Sequence, residues 1–217
     1  PLVFKELSMT RYDFTTQPDR LNQNTMKWHE AESNPELLEL WVADMDFLPV
    51  PEIRDAVINY AETHIFGYPY PSDELYQSII DWEKNQHGYS VDKASIVLIE
   101  GVVPAISTAI QAFTKEGDAV LINTPVYPPF ARSVRLNNRK LIENSLVKVN
   151  GHFEIDFEQL ERDIVGDDVK LYVFCSPHNP GGRVWTKEEL TKVADLCQKH
   201  GVLLVSDEIH QDLALYG

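Results

Sequence analysis

Cysteine, basic side chains and long apolar runs are all scarce in this sequence. Its 2 cysteines show neither metal-ligand spacing nor a disulfide framework, which predicts buried thiols in a reducing compartment. The 19 lysines and arginines are outnumbered by 34 aspartates and glutamates, and the net charge of -15 argues against a nucleic-acid partner. No apolar run has membrane-spanning length and the first residues are too charged for a secretion signal, so we expect a cytoplasmic protein.

Two nucleotide-binding fingerprints are missing as well. Neither G-x-G-x-x-G nor G-x-x-x-x-G-K-S/T occurs, which disfavours a nucleotide-binding oxidoreductase. The 217 residues, 43% hydrophobic and 24% charged, are enough for one main globular domain with an appendage. We expect residues 1–35 to form an extended arm rather than a packed element.

Short apolar segments alternate with amphipathic ones along the rest of the chain. We predict strands at 96–99, 119–122, 140–147, 171–175 and 202–205, and helices from about 51 and at 72–87, 104–113, 128–137, 156–164 and 186–200. Capping pairs open two of these helices: Asp156 with Gln159, and Thr186 with Glu189. This alternation predicts an α/β fold with a mostly parallel sheet sandwiched by helices.

Four unusual strings directly follow four of the predicted strands. They occupy residues 101–104, 124–129, 176–182 and 207–210. Ligands of open parallel sheets bind beyond the carboxyl ends of the strands, where loops lead into helices. We therefore expect the four strings to meet at one edge of the sheet.

The first two strings suggest an anion and a flat ring. Gly101 allows backbone amides at a helix start to approach an anion, although a tight turn between strand and helix also needs a glycine. Tyr127 is stiffened by the prolines around it and can stack on a flat heteroaromatic ring, or it covers the rim of the core.

The other two strings carry polar groups. Asp207 ends a buried strand, and its carboxylate needs a cation such as a protonated ring nitrogen, unless it only caps the next helix. Asn179 offers an amide to a ring oxygen, or forms a plain turn with the Pro-Gly-Gly sequence after it. His210 could bond to the same oxygen or be structural. Together these residues indicate a site for a flat, phosphorylated ring with a protonated nitrogen.

The joint set of strings resembles the class I/II aminotransferase-like enzymes, which use pyridoxal 5'-phosphate (PLP). The resemblance runs from about Met9 to the last residue and rests on residues 41–47, 66–68, 101–104, 176–182 and 206–210. Residues 41–47 and 207–210 look like those of the MalY/PatB-type cystathionine beta-lyases, which cleave carbon-sulfur bonds. The resemblance implies the aspartate-aminotransferase-like fold (fold type I), with an N-terminal arm and substrate-side segment at 1–50 and a PLP-binding large domain at 51–217.

For the phosphate and the substrate, the resemblance implies roles in both regions. The backbone amides of Val102 and Val103 would bind the PLP phosphate. The hydroxyl of Tyr68 would reach the same phosphate from the neighbouring subunit of a homodimer, although its proline-spaced aromatic loop could also be a surface corner. Val42 and Ala43 would lie near the substrate carboxylate.

For the ring itself, the resemblance implies four contacts from the sheet edge. Tyr127 would stack on the pyridine ring. Asn179 and His210 would bind its 3-oxygen. Asp207 would pair with its nitrogen and keep it protonated.

One part of the family pattern is absent. The family's Schiff-base lysine comes a few dozen residues after the aspartate, beyond Gly217, and the chemistry needs it to hold PLP and move protons. Four other lysines could be considered for this role: Lys170, Lys187, Lys192 and Lys199. We expect Lys170 at the opposite edge of the sheet and the other three on a covering helix, so none is well placed. We therefore expect a fold that is incomplete at the C-terminus and a chain that is inactive alone.

The resemblance implies that the complete enzyme is a carbon-sulfur beta-lyase. Its substrates would be cystathionine- or cysteine-type amino acids, and its products pyruvate, ammonia and a thiol. An aminotransferase would share every residue named above. The missing lysine also keeps open a non-catalytic regulatory or interaction protein.

Overall fold

Helices and strands are unevenly divided between two units of the chain. The computed structural model describes residues 12–21 and 23–214. These residues form two compact units, the first up to Leu75 and the second from Tyr76. The described residues before 51 contain turns and irregular chain only. The two predicted helices are present: α1 spans Pro51–Thr63 and α2 spans Asp73–His87. Helix α2 crosses the division between the units. None of the described helices is both long enough and apolar enough to cross a membrane.

The N-terminal segment differs from the extended arm that the sequence predicts. The chain turns repeatedly between residues 26 and 33, and Lys27 and Ala31 are buried. The physical reason is a group of carboxylates further along the first unit, which draws Lys27 out of solvent. Residues 1–11 of the predicted arm lie outside the described residues.

The second unit alternates strands and helices. In chain order it contains α3 (Val102–Phe113), β1 (Ala119–Thr124), α4 (Pro129–Leu136), β2 (Lys140–Ser145), β3 (Val147–Val149), β4 (His152–Glu154), α5 (Phe157–Gly166), β5 (Val169–Cys175), α6 (Lys187–His200) and β6 (Leu203–Asp207). The main sheet has the order β2-β1-β5-β6, and every neighbouring pair is parallel. The predicted parallel sheet is confirmed.

Helices cover both faces of this sheet. Side chains of successive strand residues point to opposite faces, so Val120 and Leu121 belong to different cores. Leu121 packs with Leu160 of α5 and Val193 of α6. Val120 packs on the other side with Ile110 of α3 and with residues of α4.

Local capping signals are reproduced in the structure. The Asp156 carboxylate accepts a hydrogen bond from the Gln159 amide at 3.0 Å at the start of α5. At the start of α6, Thr186 and Glu189 form both hydrogen bonds of a capping box. Side-chain acceptors here satisfy amide groups that have no partner within the helix.

The predicted strand at 96–99 is wrong. A 3-10 turn at Lys93–Ser95 is followed by irregular chain, and Val97 is 83% exposed. A strand is stabilised by hydrogen bonds to a neighbour, and no strand of the described chain lies beside this segment. Apolar composition alone therefore misidentifies it.

The predicted strand at 140–147 ends earlier, at Ser145, and a hairpin follows it. Strands β3 and β4 pair antiparallel across a turn in which Asn150 and Gly151 have φ values of 50° and 87°. Positive φ at two successive residues is the geometry that an Asn-Gly sequence favours in tight hairpins.

Candidate functional site

Asp207 ends β6 with its side chain largely removed from solvent. The residue is 7% exposed and its backbone pairs with Cys175 at the end of β5. Its Oδ1 accepts a hydrogen bond from the Ile209 amide at 3.1 Å, a local turn contact. The next helical turn begins after His210, so Asp207 does not cap it. Among residues 12–21 and 23–214, no cationic side chain forms an ion pair with it. A buried carboxylate with one hydrogen bond is a strong acceptor for a cationic ligand group.

Tyr127 and Asn179 are joined by a backbone hydrogen bond. The Tyr127 amide donates to the Asn179 carbonyl oxygen at 3.0 Å, which brings together the loops after β1 and β5. The Tyr127 ring contacts the buried Phe130 edge-on, with centroids 6.1 Å apart, and remains 42% exposed. An anchored aromatic ring and the loop that carries Asn179 therefore meet at the carboxyl edge of the sheet.

A cavity of about 450 Å³ opens next to Asn179. It is lined by residues 177–180 and 182–184, and by His210, Leu213 and Ala214. The structure thus brings Asn179 and His210 to one cavity. Tyr127 and Asp207 are on the same sheet edge but do not line it.

Helix α3 begins at the same edge without a side-chain cap. Gly101 precedes it with a φ of 127°, a conformation that residues with a Cβ rarely adopt. The helix contacts β6, and Val102 packs against the core cluster that also contacts Val205. Uncapped amides at a helix start favour an anion, so the amides at Val102 and Val103 can bind a phosphate.

Side chains of α2 hold the segment that follows β6. Asp212 accepts hydrogen bonds from Trp82 Nε1 at 3.2 Å and from His87 Nε2 at 2.8 Å. Gln211 Nε2 donates to Glu83 at 3.0 Å. These contacts fix a 3-10 turn at Gln211–Leu213 directly after His210, and so restrict where that imidazole can lie.

Cys175 has a structural place that the sequence did not indicate. Its Sγ is 3.3 Å from the Pro177 oxygen and accepts from the Asn179 amide at 3.4 Å. Burial raises the pKa of this thiol, and the nearby Asp207 carboxylate raises it further. The thiol therefore stays protonated and supports the Asn179 loop rather than acting as a nucleophile.

Val42, Ala43 and Tyr68 belong to the first unit. Val42 has a φ of 63°, which is rare for a β-branched residue and marks local strain. Tyr68 is fully exposed. The substrate and phosphate roles expected for these residues stay predictions.

A dense polar network follows Val42, and the sequence did not predict it. Asp46 accepts hydrogen bonds from Lys27 Nζ at 2.6 Å and Trp28 Nε1 at 2.9 Å. The Arg20 guanidinium bonds to both Asp44 and Asp46 at 2.8 Å. The alternation of aspartates in residues 44–46 was the signal that could have indicated these partners.

The lysines considered as Schiff-base residues lie at the amino end of β5 or on α6. Lys170 follows the first residue of β5 and pairs with Asp168, at the amino end of the strand. Lys187, Lys192 and Lys199 are on α6, where Lys199 pairs with Glu161. That none of them serves as the Schiff-base residue stays a prediction.

Comparison with known proteins identifies a family for most of the chain. Residues 35–216 match the family "Aminotransferase class I and II". The sequence is 42% identical over 208 residues to cystathionine beta-lyase PatB of Bacillus subtilis (strain 168), covering 94% of this chain and 54% of that protein. It is 32% identical over 206 residues to protein MalY of Escherichia coli (strain K12), covering 93% and 53%.

A solved structure gives the same answer for the fold. The crystal structure of cystalysin from Treponema denticola, which contains pyridoxal 5'-phosphate, matches with a TM-score of 0.86 and 41% identity, covering 93% of this chain and 52% of that one. The chain therefore has the fold-type I architecture expected from its sequence, and it spans about half the length of these relatives. By sequence and by fold, this chain belongs to the aminotransferase class I and II family.

Proposed function

We propose that the chain is the cofactor-binding part of a PLP-dependent carbon-sulfur beta-lyase. The whole enzyme would act on cystathionine- or cysteine-type amino acids in the cytoplasm and release pyruvate, ammonia and a thiol. The observation that carries the proposal is the buried Asp207 carboxylate, which no cation of the described chain neutralises. The identities to PatB and MalY support the lyase chemistry.

The residues at the sheet edge fit the ring of PLP. Bound PLP supplies an electron sink, provided that its ring nitrogen stays protonated. The Asp207 carboxylate would hold that proton by pairing with the nitrogen. Asn179 and His210, which line one cavity, would orient the ring through its 3-oxygen. Tyr127 would cover one face of the ring.

The start of α3 fits the phosphate of the same cofactor. The amides of Val102 and Val103 would donate to phosphate oxygens, and the helix dipole favours the negative charge there. The exposed hydroxyl of Tyr68 would reach the phosphate of the partner subunit in a homodimer. Such a role would explain why the Tyr68 side chain packs against nothing in its own unit.

Substrate recognition would begin in the first region of the chain. We propose residues 1–50 as the arm and substrate-side segment, and 51–217 as the part that carries PLP. Val42 and Ala43 would bind the substrate carboxylate through their backbone. The positive φ of Val42, supported by the polar network after it, is consistent with a loop held for a ligand.

Titration of the chain with PLP tests the cofactor site. Saturable quenching of tryptophan fluorescence is expected for the parent chain. Asp207→Ala should weaken PLP binding about tenfold, because it removes the partner of the ring nitrogen. Asp195→Ala, which removes an exposed carboxylate from α6, is the matched control. Equal PLP affinity in all three proteins would contradict the assignment of Asp207.

An aminotransferase is the second candidate, and the family description supports it. The discriminating assay uses this chain together with the remaining length that its relatives have. Supplied with cystathionine, a beta-lyase releases pyruvate and a thiol. Supplied with an amino acid and a keto acid, an aminotransferase forms a new amino acid instead.

A further inference from the structure

His178 lies one residue before Asn179 and is almost completely buried. The residue is 3% exposed. Its Nε2 is 2.8 Å from the carbonyl oxygen of Pro125, across 53 residues of sequence. Pro125 belongs to the loop after β1, two residues before Tyr127. One imidazole therefore connects the loop that carries Asn179 with the loop that carries Tyr127.

The hydrogen bond fixes the tautomer of the imidazole. A carbonyl oxygen only accepts, so Nε2 carries the proton and donates it to Pro125. The other ring nitrogen, Nδ1, is buried and has no hydrogen-bond partner within the described residues. The connection between the loops therefore depends on the Nε2 donor alone.

The surrounding chain holds the imidazole in place. Its ring packs edge-on against Trp185 with centroids 5.5 Å apart. A Cβ at Gly181 would lie 2.6 Å from Cδ2 of the ring, so only glycine fits there without displacement. The backbone of His178 is also fixed, because its amide donates to Arg183 at 2.7 Å and its carbonyl accepts from Gly182 at 2.9 Å.

We propose that His178 is a positioning residue that sets the distance between the Tyr127 ring and the Asn179 amide. This inference rests on the proposed function, because it is through those two groups that His178 would affect PLP. His178 does not contact the cofactor in this scheme. Its hydrogen bond to Pro125 and the bond from Tyr127 to Asn179 are two ties across the same pair of loops, so loss of one loosens the other.

Two substitutions of His178 distinguish the effect of its hydrogen-bond donor from the effect of its side-chain volume. His178→Gln retains an N–H donor at a similar reach, whereas His178→Leu fills similar space without a donor. The first measurement needs no ligand: hydrogen exchange of the Tyr127 amide, with the Val173 amide in β5 as the internal reference. We expect His178→Leu to raise Tyr127 exchange by about fivefold to tenfold, the factor that one hydrogen bond contributes, with Val173 unchanged. His178→Gln should stay close to the parent.

Gly181→Ala tests the same inference if His178→Leu fails to fold. The new methyl group would push the ring away from Pro125, and the same selective rise in Tyr127 exchange is expected. Gly166→Ala is the matched control, because nothing lies within 4 Å of a Cβ at that position. The inference would be overturned if the Tyr127 amide exchanged equally fast in the parent, in His178→Leu and in Gly181→Ala. It would also be overturned if this amide exchanged as fast in His178→Gln as in His178→Leu.

The second measurement is PLP affinity. His178→Leu should weaken PLP binding about tenfold, because a displaced Tyr127 ring loses its stacking contact with PLP. His178→Gln should bind PLP nearly as tightly as the parent. Unchanged PLP affinity together with faster Tyr127 exchange would overturn the positioning role. A parent chain that binds no PLP would instead count against the proposed function, and the exchange measurement would then decide on His178.

Discussion

The ammonium group of Lys27 lies 2.6 Å from the Asp46 carboxylate, and the lysine is only 7% exposed. Arg20 bonds to the same carboxylate at 2.8 Å. Asp46 therefore neutralises two cations that the first unit removes from solvent. Both cations also bond to the backbone of this segment: Lys27 donates to the Asp44 carbonyl oxygen at 2.8 Å, and Arg20 to the Met45 carbonyl oxygen at 3.0 Å.

Asp46→Asn should destabilise the first unit. The amide keeps the shape of the carboxylate but leaves Lys27 buried without a counter-charge, which costs about 2 kcal/mol in free energy of unfolding. Urea unfolding followed by tryptophan fluorescence measures the change. Asp55→Asn is the control, since the Arg54–Asp55 pair is exposed and its loss should change little. Equal losses in both variants would contradict a special role of Asp46.

Acid should weaken the same network. The hydrogen bond from Lys27 lowers the pKa of Asp46, and the hydrogen bond from Arg20 lowers that of Asp44. Each folded pKa lies below the unfolded one, so this contribution to stability is present above about pH 4 and is lost as the pH falls through the folded pKa. Urea midpoints measured from pH 6 to pH 3 should fall more steeply for the parent than for Asp46→Asn. Parallel pH profiles for the two proteins would argue against this coupling.

Neutralising Asp207 should affect stability and ligand binding in opposite directions. Asp207→Asn keeps an acceptor for the Ile209 amide and removes a buried charge that has no cation in the described chain. We expect the ligand-free chain to gain about 0.5–1 kcal/mol and PLP binding to weaken, the pattern of a residue retained for function. Thermal unfolding with and without PLP measures both effects. A loss of ligand-free stability would indicate a structural role instead.

Borohydride should leave no cofactor on a specific lysine of this chain. Lys170 lies at the amino end of β5, and the lysines of α6 are on a covering helix. The chain is treated with PLP, reduced and digested, and labelled peptides are identified by mass spectrometry. A single lysine modified stoichiometrically would show that a covalent site is present after all.

Local signals made much of the fold predictable. The capping pairs at Asp156 and Thr186 act within a few residues, so the sequence alone located the starts of α5 and α6. Continuous apolar strands predicted the parallel sheet, since a strand covered on both faces has no polar side. Segment 96–99 has the same composition but no neighbouring strand, and composition does not reveal whether a partner is present.

The sequence predicted which residues lie at the strand ends of the candidate site. It did not predict the contacts that hold those residues in place. Asp207 and Asn179 follow apolar strands, so topology alone places them at one edge. The bond from His178 to Pro125 joins loops 53 residues apart, and no sequence pattern encodes such a contact. For Asp46, the alternating aspartates of residues 44–46 indicate that cations are needed, but tertiary packing decides that Lys27 is one of them.

The chain alone should associate or aggregate. β6 is at the edge of the main sheet, and Val97, Leu98 and Ile99 are exposed in the unpaired segment. Unpaired edges and exposed apolar side chains favour contacts between chains. Sedimentation velocity over a range of concentrations should show species larger than a 24.8 kDa monomer.

Val97→Lys should shift the distribution toward monomer, because a charge there opposes close approach of two chains. Lys93→Arg, a matched change that keeps the charge, should not shift it. A parent chain that is monomeric and unfolds in one cooperative transition would contradict this expectation.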